Sequence, residues 1–218
     1  MRHPGAKRSR FPDANLLPGD QPFARGADYR TETLVDAYRH GIFPWPYDDG
    51  EVYWWSPDPR AIIELDALRV SRSLRQTLRR EGWTFTYSTA FDRVVQECAR
   101  ARGALTWITP EYAAGYGALH RAGFAHSVEV WAGEELVGGL YGVTVGGVFT
   151  GESMFHRRTD ASKAALVALR DRMRACGFGF IDAQLPTAHL LSMGASVVPR
   201  AEFLRRLGEQ VVRPVRLI

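Results

Sequence analysis

The sequence predicts a mixed α/β fold, and three features of the 218-residue chain support that class. Its composition, with 45% hydrophobic and 24% charged residues, is typical of a globular protein that can bury a sizeable core. Some segments have the helical spacing of apolar residues, and others are short runs of branched and aromatic residues. Three of the strand-like runs follow one another directly, separated by tight turns. Helices and strands therefore share one chain, as in an α/β protein.

The first 60 residues are expected to form one helix and otherwise irregular structure. Residues 1–30 are rich in proline, glycine and arginine. Either Thr31 or Thr33 can cap a helix with an apolar side, and Gly41 stands where a helix C-terminus favours a positive φ. Residues 42–60 are dense in proline and tryptophan, which predicts a compact, non-repetitive segment.

The next 60 residues predict short strands and three helices. Strands are expected within 62–70 and over 83–87, where branched and aromatic residues cluster. The helices are expected over 71–80, 90–101 and 110–123. Ser71 can cap the first of them, and Pro110 fits the first turn of the third.

The remainder of the chain predicts a β-meander followed by a helix, a strand and two short helices. The meander strands are expected over 126–131, 135–144 and 148–155. Asp160 is expected to cap the next helix and Gly177 to end it, before a strand over 178–184. The last helices begin near Thr187 and Glu202. This order is that of an acetyltransferase-like (GNAT-type) domain with a mixed sheet.

Composition and motifs exclude several functional classes. No apolar run approaches the roughly 20 residues that a membrane-spanning helix needs. Cys98 and Cys176 lack a partner motif, so we expect neither a disulfide framework nor a thiolate metal site, and the cytoplasm is the natural setting. The six histidines lack ligand spacing, and the glycines form neither a P-loop nor a dinucleotide-binding motif. We therefore expect no metal and no cofactor.

Two short polar blocks carry the strongest functional signal. Residues 151–155 contain Glu152, and residues 180–184 contain Asp182 and Gln184, all among apolar neighbours. Carboxylates in such surroundings cost free energy unless they are paired or hydrogen-bonded. Asp182 and Gln184 alternate on a strand and share a face, so they converge with Glu152 if both strands lie in one sheet. A satisfied buried network and a catalytic site explain this pattern equally well.

Together with three further segments, these blocks resemble the bacterial leucyl/phenylalanyl-tRNA–protein transferases. The further segments are Trp54–Arg60, Thr106–Thr109 and His126–Trp131. The five motifs follow one another in the family's order from about residue 26 to about residue 200. The resemblance implies transfer of leucine, phenylalanine or a similar apolar amino acid from aminoacyl-tRNA to proteins that begin with Arg or Lys. It also implies that this modification tags those proteins for N-degron degradation, without membrane or metal.

The resemblance also implies a two-part architecture. We expect an irregular, disordered arm over residues 1–25 and a small N-terminal domain over residues 26–94. An acetyltransferase-like catalytic domain is expected over residues 95–218.

Three catalytic residues are implied by matching the family's motifs. Glu152 would bind the cationic acceptor, Asp182 would hold its amine and draw its proton, and Gln184 would orient the amine or the tetrahedral intermediate. A protein α-amino group has an ordinary pKa of about 7.7–8.0, so no covalent enzyme nucleophile is required. Positioning, removal of one proton and stabilisation of developing charge are sufficient.

The same matching implies the substrate-binding residues. A hydrophobic pocket for the amino-acid side chain would be lined by Leu140, Phe149, Met154, Leu169 and Ile181. Each of these residues, taken singly, is equally explained as ordinary core. Trp54, Trp55 and Trp107 could stack on the terminal adenosine, and the resemblance favours Trp107 with its neighbour Thr106.

An arginine stripe on the helix over 71–80 is the candidate tRNA-binding surface. It consists of Arg72, Arg75, Arg79 and Arg80. Leu74 lies on the opposite face. No acidic residue at i+4 interrupts the stripe, which favours contacts with acceptor-stem phosphates over a merely solvated face.

Two other functions fit parts of the sequence. An acyl-CoA-dependent acyltransferase would have the same fold, but Arg157–Asp160 stand where such enzymes place a glycine-rich pyrophosphate loop. A non-catalytic RNA-binding protein would explain the arginine stripe and leave the two polar blocks without a purpose.

Overall fold

The computed structural model describes residues 9–26, 28–46 and 51–218. Its strands are β1 Ala24–Arg25, β2 Phe43–Pro46, β3 Val52–Trp55, β4 Arg60–Glu64, β5 Thr84–Tyr87, β6 Ala125–Ala132, β7 Glu135–Val145, β8 Val148–His156, β9 Phe180–Gln184 and β10 Ser196–Val198. Its α-helices are α1 Thr31–Arg39, α2 Arg72–Glu81, α3 Phe91–Arg102, α4 Pro110–Arg121, α5 Ala161–Cys176, α6 Ala188–Ser192 and α7 Arg200–Gln210. Short 3₁₀ helices lie at Ala14–Leu16 and Gly103–Leu105.

The predicted mixed α/β fold is confirmed by the main sheet. Seven strands follow the order β10-β4-β9-β8-β7-β6-β5. Strands β6, β7 and β8 form the predicted antiparallel meander, whereas β8 and β9 pair in parallel. A parallel pair needs a long crossover connection, which α5 provides. The remaining strands, β1, β3 and β2, form a separate antiparallel sheet.

Most predicted helix ends are confirmed by their capping groups. The Ser71 hydroxyl accepts a hydrogen bond from the Leu74 amide at 3.0 Å, which fixes the start of α2. Gly41 and Gly177 follow α1 and α5 with φ angles of 71° and 77°, which glycine adopts without steric cost.

Two expected caps are wrong. Helix α1 begins after Arg30 and has no side-chain cap, although Thr31 and Thr33 are suitable residues. Asp160 precedes α5 with a φ of 69°, and its carboxylate pairs with Lys163 at 2.7 Å instead of accepting a helix amide. A charged partner one turn away competes with the amide for the same oxygens.

Residues 42–60 were expected to be non-repetitive, but they contain the strands β2 and β3, so that expectation is wrong for the described part of the segment. Residues 47–50 lie outside the described residues. Pro44 and Pro46 hid this hairpin, because proline is compatible only with an edge strand. Strand β2 occupies that edge position.

The proposed domain division stays a prediction, and strand pairing bears on it. Strands β4 and β5 precede residue 95 but belong to the main sheet, where they pair with β9 and β6. The expected arm lies partly outside the described residues, which begin at Ser9. From Ser9 onwards the segment packs on the rest of the protein. The Phe11 and Trp54 rings pack edge to face with their centres 4.7 Å apart, and Arg200 donates a hydrogen bond to the Leu17 carbonyl at 2.6 Å.

The parallel pairing of β8 and β9 ends where the polar blocks begin. Residues 148–150 pair with residues 180–182, and no pairing continues to Glu152 and Gln184. One apolar core covers each face of the main sheet. The opening between the two strands therefore connects the sheet surface with the interior, and it is there that the candidate site lies. No helix in the described part of the chain is both long and apolar enough to cross a membrane.

Candidate active site

A cavity of about 250 Å³ lies beside the opening between β8 and β9. All five predicted pocket residues line it: Leu140, Phe149, Met154, Leu169 and Ile181. We call this set the apolar wall. Its members come from β7, β8, α5 and β9. All except Met154 are buried. The wall therefore belongs to the core and to the cavity at the same time, and it offers a site for an apolar side chain.

Glu152 lies at the polar side of the cavity and is enclosed by hydrogen-bond donors. Its Oε1 accepts from the Tyr38 hydroxyl at 2.7 Å and from Gln184 Nε2 at 3.1 Å. Its Oε2 accepts from the Tyr112 hydroxyl at 2.9 Å. Tyr38 is also hydrogen-bonded to Tyr116. A chain of tyrosine hydroxyls thus leads from the core to this carboxylate.

Burial sets the proton affinity of these groups. Desolvation raises the pKa of Glu152 to about 7, although the hydrogen bonds from Tyr38 and Tyr112 oppose that rise. Burial also raises the pKa values of Tyr38, Tyr112 and Tyr116 well above 10. The tyrosines therefore stay protonated as donors, while Glu152 exchanges its proton near neutral pH.

Asp182 lies in a different environment, a buried ion pair with Arg60. Arg60 Nε donates to Oδ1 at 2.8 Å and Nη2 donates to Oδ2 at 2.6 Å. The Thr150 hydroxyl donates to Oδ2 at 3.1 Å, and the backbone amide of Gln184 donates to Oδ1 at 3.0 Å. Asp182 and Arg60 are each only 1% exposed. Four donors therefore surround a carboxylate that does not line the cavity.

Arg60 is itself held from several sides. Its Nη1 donates to the Gly41 carbonyl at 3.2 Å. The guanidinium carbon lies 4.9 Å from the ring centre of Phe43 and 4.5 Å from that of Phe203. Arg60 thus connects the segment after α1, the strand β9 and the helix α7, and it was not among the predicted site residues. The sequence feature that could have identified Arg60 is a charged residue at the first position of a buried strand of branched apolar residues.

Gln184 links the two carboxylates. The φ of Gln184 is 60°, which is unusual for a residue with a side chain. Asp182 stabilises that conformation by accepting a hydrogen bond from the backbone amide of Gln184. The side-chain amide then points to Glu152. The three polar residues thus converge, as their alternation on neighbouring strands predicted, whereas their catalytic roles stay a prediction.

Three further residues, Trp45, Arg102 and Trp107, line the cavity, and we call this set the aromatic mouth. The Trp45 and Trp107 rings are stacked with centres 4.6 Å apart, and the Arg102 guanidinium lies 3.6 Å from the centre of the Trp107 ring. Trp107 is the predicted adenosine-binding residue. Trp45 and Arg102 were missed, because a proline-rich strand and a helix end bring them there.

The other residues predicted to bind adenosine do not line this cavity. Trp54 is 5% exposed, and its indole N–H donates to the Gly26 carbonyl at 2.8 Å. Thr106 accepts a hydrogen bond from the Ile108 amide at 3.2 Å. Trp55 lies beside Trp54 on β3. The position of Trp54 is that of a structural residue of the small sheet.

The arginine stripe lies on the surface of α2. Arg72, Arg75, Arg79 and Arg80 are exposed, whereas Leu74 is buried. Arg80 pairs with Glu81 at 2.7 Å. In the described ranges, no group of three or more His, Cys, Asp or Glu residues is arranged to hold a metal ion.

Comparison with known proteins gives consistent matches. The family model "Leucyl/phenylalanyl-tRNA protein transferase" matches residues 62–208, and the model of that family's N-terminal domain matches residues 27–58. A "Leucyl/phenylalanyl-tRNA--protein transferase" of Shewanella denitrificans is 52% identical over 187 residues, 85% of this chain and 80% of the relative. One of Thiobacillus denitrificans is 47% identical over 218 residues, 98% of this chain and 96% of the relative.

Solved structures show more distant similarity. "The structure of L-PGS from Bacillus licheniformis" has 16% identity and a TM-score of 0.43, with 73% of this chain and 54% of that chain covered. A "GCN5-related N-acetyltransferase from Kribbella flavida" has 12% identity and a TM-score of 0.37, with 76% of this chain and 59% of that chain covered.

Proposed function

Because the chain belongs to the leucyl/phenylalanyl-tRNA–protein transferase family, we infer that it is an aminoacyltransferase. It moves leucine or phenylalanine from aminoacyl-tRNA to the N-terminus of a protein. The observation that carries this function is the cavity, which joins an apolar wall to a polar group of Glu152 and Gln184. Burial of a leucine or phenylalanine side chain against such a wall is worth about 1.5–3 kcal/mol. The ester carbonyl of the donor would then lie beside the polar group.

The reaction is the aminolysis of an activated ester. Its requirements are the orientation of the acceptor amine, the removal of a proton and the stabilisation of a tetrahedral intermediate. We assign the orientation to the side-chain amide of Gln184. Asp182 was expected to draw the proton, but four donors already surround it. It therefore acts as a positioning residue that holds Gln184.

The acceptor is proposed to be a protein that begins with Arg or Lys. Glu152 supports this proposal, because it places a carboxylate with no cationic ion-pair partner among the described residues beside the cavity. The modification would tag such proteins for N-degron degradation in the cytoplasm.

The terminal adenosine of the tRNA is proposed to bind at the aromatic mouth. A base can stack on tryptophan, and an arginine beside it attracts the adjacent phosphate. Trp107 already has Trp45 and Arg102 against its ring. Adenine stacking on Trp107 therefore requires one of these neighbours to move.

The arginine stripe on α2 is proposed to bind the acceptor stem. Changing Arg72, Arg75 and Arg79 together to Gln should weaken aminoacyl-tRNA binding and flatten its salt dependence, since fewer counterions are released. A minimal aminoacyl-adenosine donor should react as before. An unchanged salt slope would show that the stripe is a solvated face, and equal damage with both donors would indicate misfolding.

The function is tested by incubating the protein with labelled leucyl-tRNA and a peptide that begins with Arg. Acetyl-CoA serves as the competing donor, and a matched peptide that begins with Ala serves as the control acceptor. We expect labelled leucine on the Arg peptide, little on the Ala peptide, and no acetyl transfer. Acetylation without leucine transfer would identify an acyl-CoA-dependent enzyme. Binding of tRNA without either transfer would identify an RNA-binding protein.

A further inference from the structure

We propose that Glu152 is the proton acceptor of the transfer reaction, and that Asp182, hydrogen-bonded to Arg60, is a positioning residue that takes no proton. The inference rests on the proposed aminoacyl transfer. It assigns the removal of the proton to one of the two carboxylates, which their sequence motifs alone do not distinguish.

The surroundings of Asp182 exclude it as a base. Both of its oxygens are bonded to the Arg60 guanidinium, and Thr150 and the Gln184 amide occupy further acceptor positions. Protonation would leave a guanidinium that is 1% exposed without its counterion. Breaking one side of a buried ion pair is strongly unfavourable. Since Asp182 does not line the cavity, a bound amine would also have no direct path to it.

Glu152 has the opposite properties. It lines the cavity, and no Lys or Arg of the described segments forms an ion pair with it within 4 Å. Each carboxylate oxygen can accept two hydrogen bonds. Tyr38 and Gln184 fill Oε1, whereas Tyr112 uses only one of the two positions on Oε2. One acceptor position therefore remains for the hydrogen of a substrate ammonium group.

The groups that face Glu152 fit this role. They are Tyr38 from α1, Tyr112 and Tyr116 from α4, Tyr141 from β7, Arg60 from β4 and Asp182 from β9. Arg102 from α3 lines the same cavity. Burial and the charge of Asp182 raise the pKa of Glu152 to about 7, while the tyrosine donors and Arg60 oppose that rise. A base is most effective when its pKa lies near the working pH.

The acceptor arrives as an α-ammonium group and transfers one proton to Oε2 of Glu152. The lone pair that this transfer leaves on the nitrogen attacks the ester carbonyl. The C–N bond forms, and the nitrogen of the tetrahedral intermediate carries two hydrogens and a positive charge. The bond from carbon to the ribose 3′ oxygen then breaks, and that oxygen leaves as a hydroxyl with the second proton. The third hydrogen stays on the amide, and Glu152 releases its proton to water.

The experiment is a pH profile of kcat/KM for the acceptor peptide, with aminoacyl-adenosine as donor. In the wild-type protein, activity should rise with an apparent pKa near 7. In Glu152→Gln, activity should fall roughly 10²-fold at pH 6.5, and the rise should move to about pH 8, the ordinary pKa of the amine itself. Asp182→Asn should lose activity because Gln184 is no longer held in place, and the rise should move to lower pH, because Glu152 loses the charge that raises its pKa. Tyr112→Phe should move the rise to higher pH, because Glu152 loses a donor to its charged form.

Other outcomes overturn the proposal. A Glu152→Gln profile of unchanged shape, with losses confined to peptides that begin with Arg or Lys, would limit Glu152 to binding of the acceptor side chain and remove it from the proton transfer. In Asp182→Asn, a rise that moves up to about pH 8, the ordinary pKa of the amine, would make Asp182 the base. The carboxyl ¹³C signal of Glu152, identified by its absence in Glu152→Gln, gives an independent readout, and a midpoint near 4.5 would contradict the proposal. If the wild-type protein transfers nothing at any pH, the proposed function fails together with this inference.

Discussion

The apolar wall and the aromatic mouth line one cavity, yet they are built in different ways. The wall consists of residues from β7, β8, β9 and α5, which follow one another along the chain. The mouth combines Trp45 from β2, Arg102 from the end of α3 and Trp107 from the following loop. Matching of sequence motifs named the five wall residues and Trp107 of the mouth, but it missed Ile63 and Leu166, which also line the cavity. The wall residues come from adjacent strands of one sheet and its crossover helix, whereas the mouth joins residues that are distant in sequence and meet only in the folded protein.

The two regions also differ in what a substitution disturbs. Leu169 and Ile181 are buried in the core, so a change there alters stability as well as the shape of the cavity. Trp45 and Trp107 are only partly buried. A change in the mouth should therefore affect binding more than folding. The buried ion pair between Arg60 and Asp182 should be the most sensitive of all.

The largest effect is expected for Arg60→Met. It leaves Asp182 buried without a counterion, so the free energy of unfolding should fall by about 3–5 kcal/mol. Denaturant unfolding measures this loss. The double variant Arg60→Met/Asp182→Asn should recover much of it, because the uncompensated charge is gone. A single variant as stable as the wild-type protein would show that the ion pair does not stabilise the fold.

A smaller effect is expected within the wall itself. Leu169→Ala should lower the free energy of unfolding by about 2–5 kcal/mol and enlarge the cavity. The preference for phenylalanine over leucine, measured with the two aminoacyl-adenosines, should rise roughly 10-fold. Leu119→Ala is the matched control, since Leu119 is equally buried but lies away from the cavity. It should lose similar stability and keep the preference. If both variants change the preference for phenylalanine over leucine, Leu169 does not determine that preference through the shape of the cavity.

Glu152 lines the same cavity as the wall and the mouth, and the effect of replacing it should depend on pH. Burial raises its pKa from 4.5 to about 7 in the folded protein, so the folded state binds a proton more tightly than the unfolded state. The stability that this proton contributes is complete below pH 4.5 and is lost as the pH rises through 7. Between pH 5 and pH 8, Glu152→Gln should gain up to about 3 kcal/mol relative to wild type. The free energy of unfolding in urea measures this gain, and a difference between the two proteins that stays constant from pH 5 to pH 8 would contradict the raised pKa.

The smallest effect is expected at the mouth. Trp107→Ala should weaken aminoacyl-adenosine binding by about 1–3 kcal/mol, the contribution of one stacked base, with little change in stability. Trp54→Phe is the contrasting variant, because Trp54 is buried and bonded to Gly26. It should unfold more easily and leave the KM for the donor unchanged. The reverse result would restore Trp54 as the binding residue.

The sequence predicted the meander, α5 and β9 because each has a clear period and a clear end. Convergence of Glu152 with Asp182 and Gln184 required only that β8 and β9 share a sheet. The partners of these residues were not predictable in the same way. Tyr38 and Tyr112 occupy apolar faces of α1 and α4, so helical periodicity explains their rings and conceals the use of their hydroxyls.

The pairing of β4 with β9 has a consequence for synthesis on the ribosome. Arg60 and Asp182 are separated by 122 residues. At about 5–20 residues per second, roughly 6–24 s pass between the synthesis of one and the other. During that interval Arg60 lacks its counterion, and the edge of β4 that β9 covers is open to other chains. We expect the nascent chain to need protection over β4 until β9 has been made.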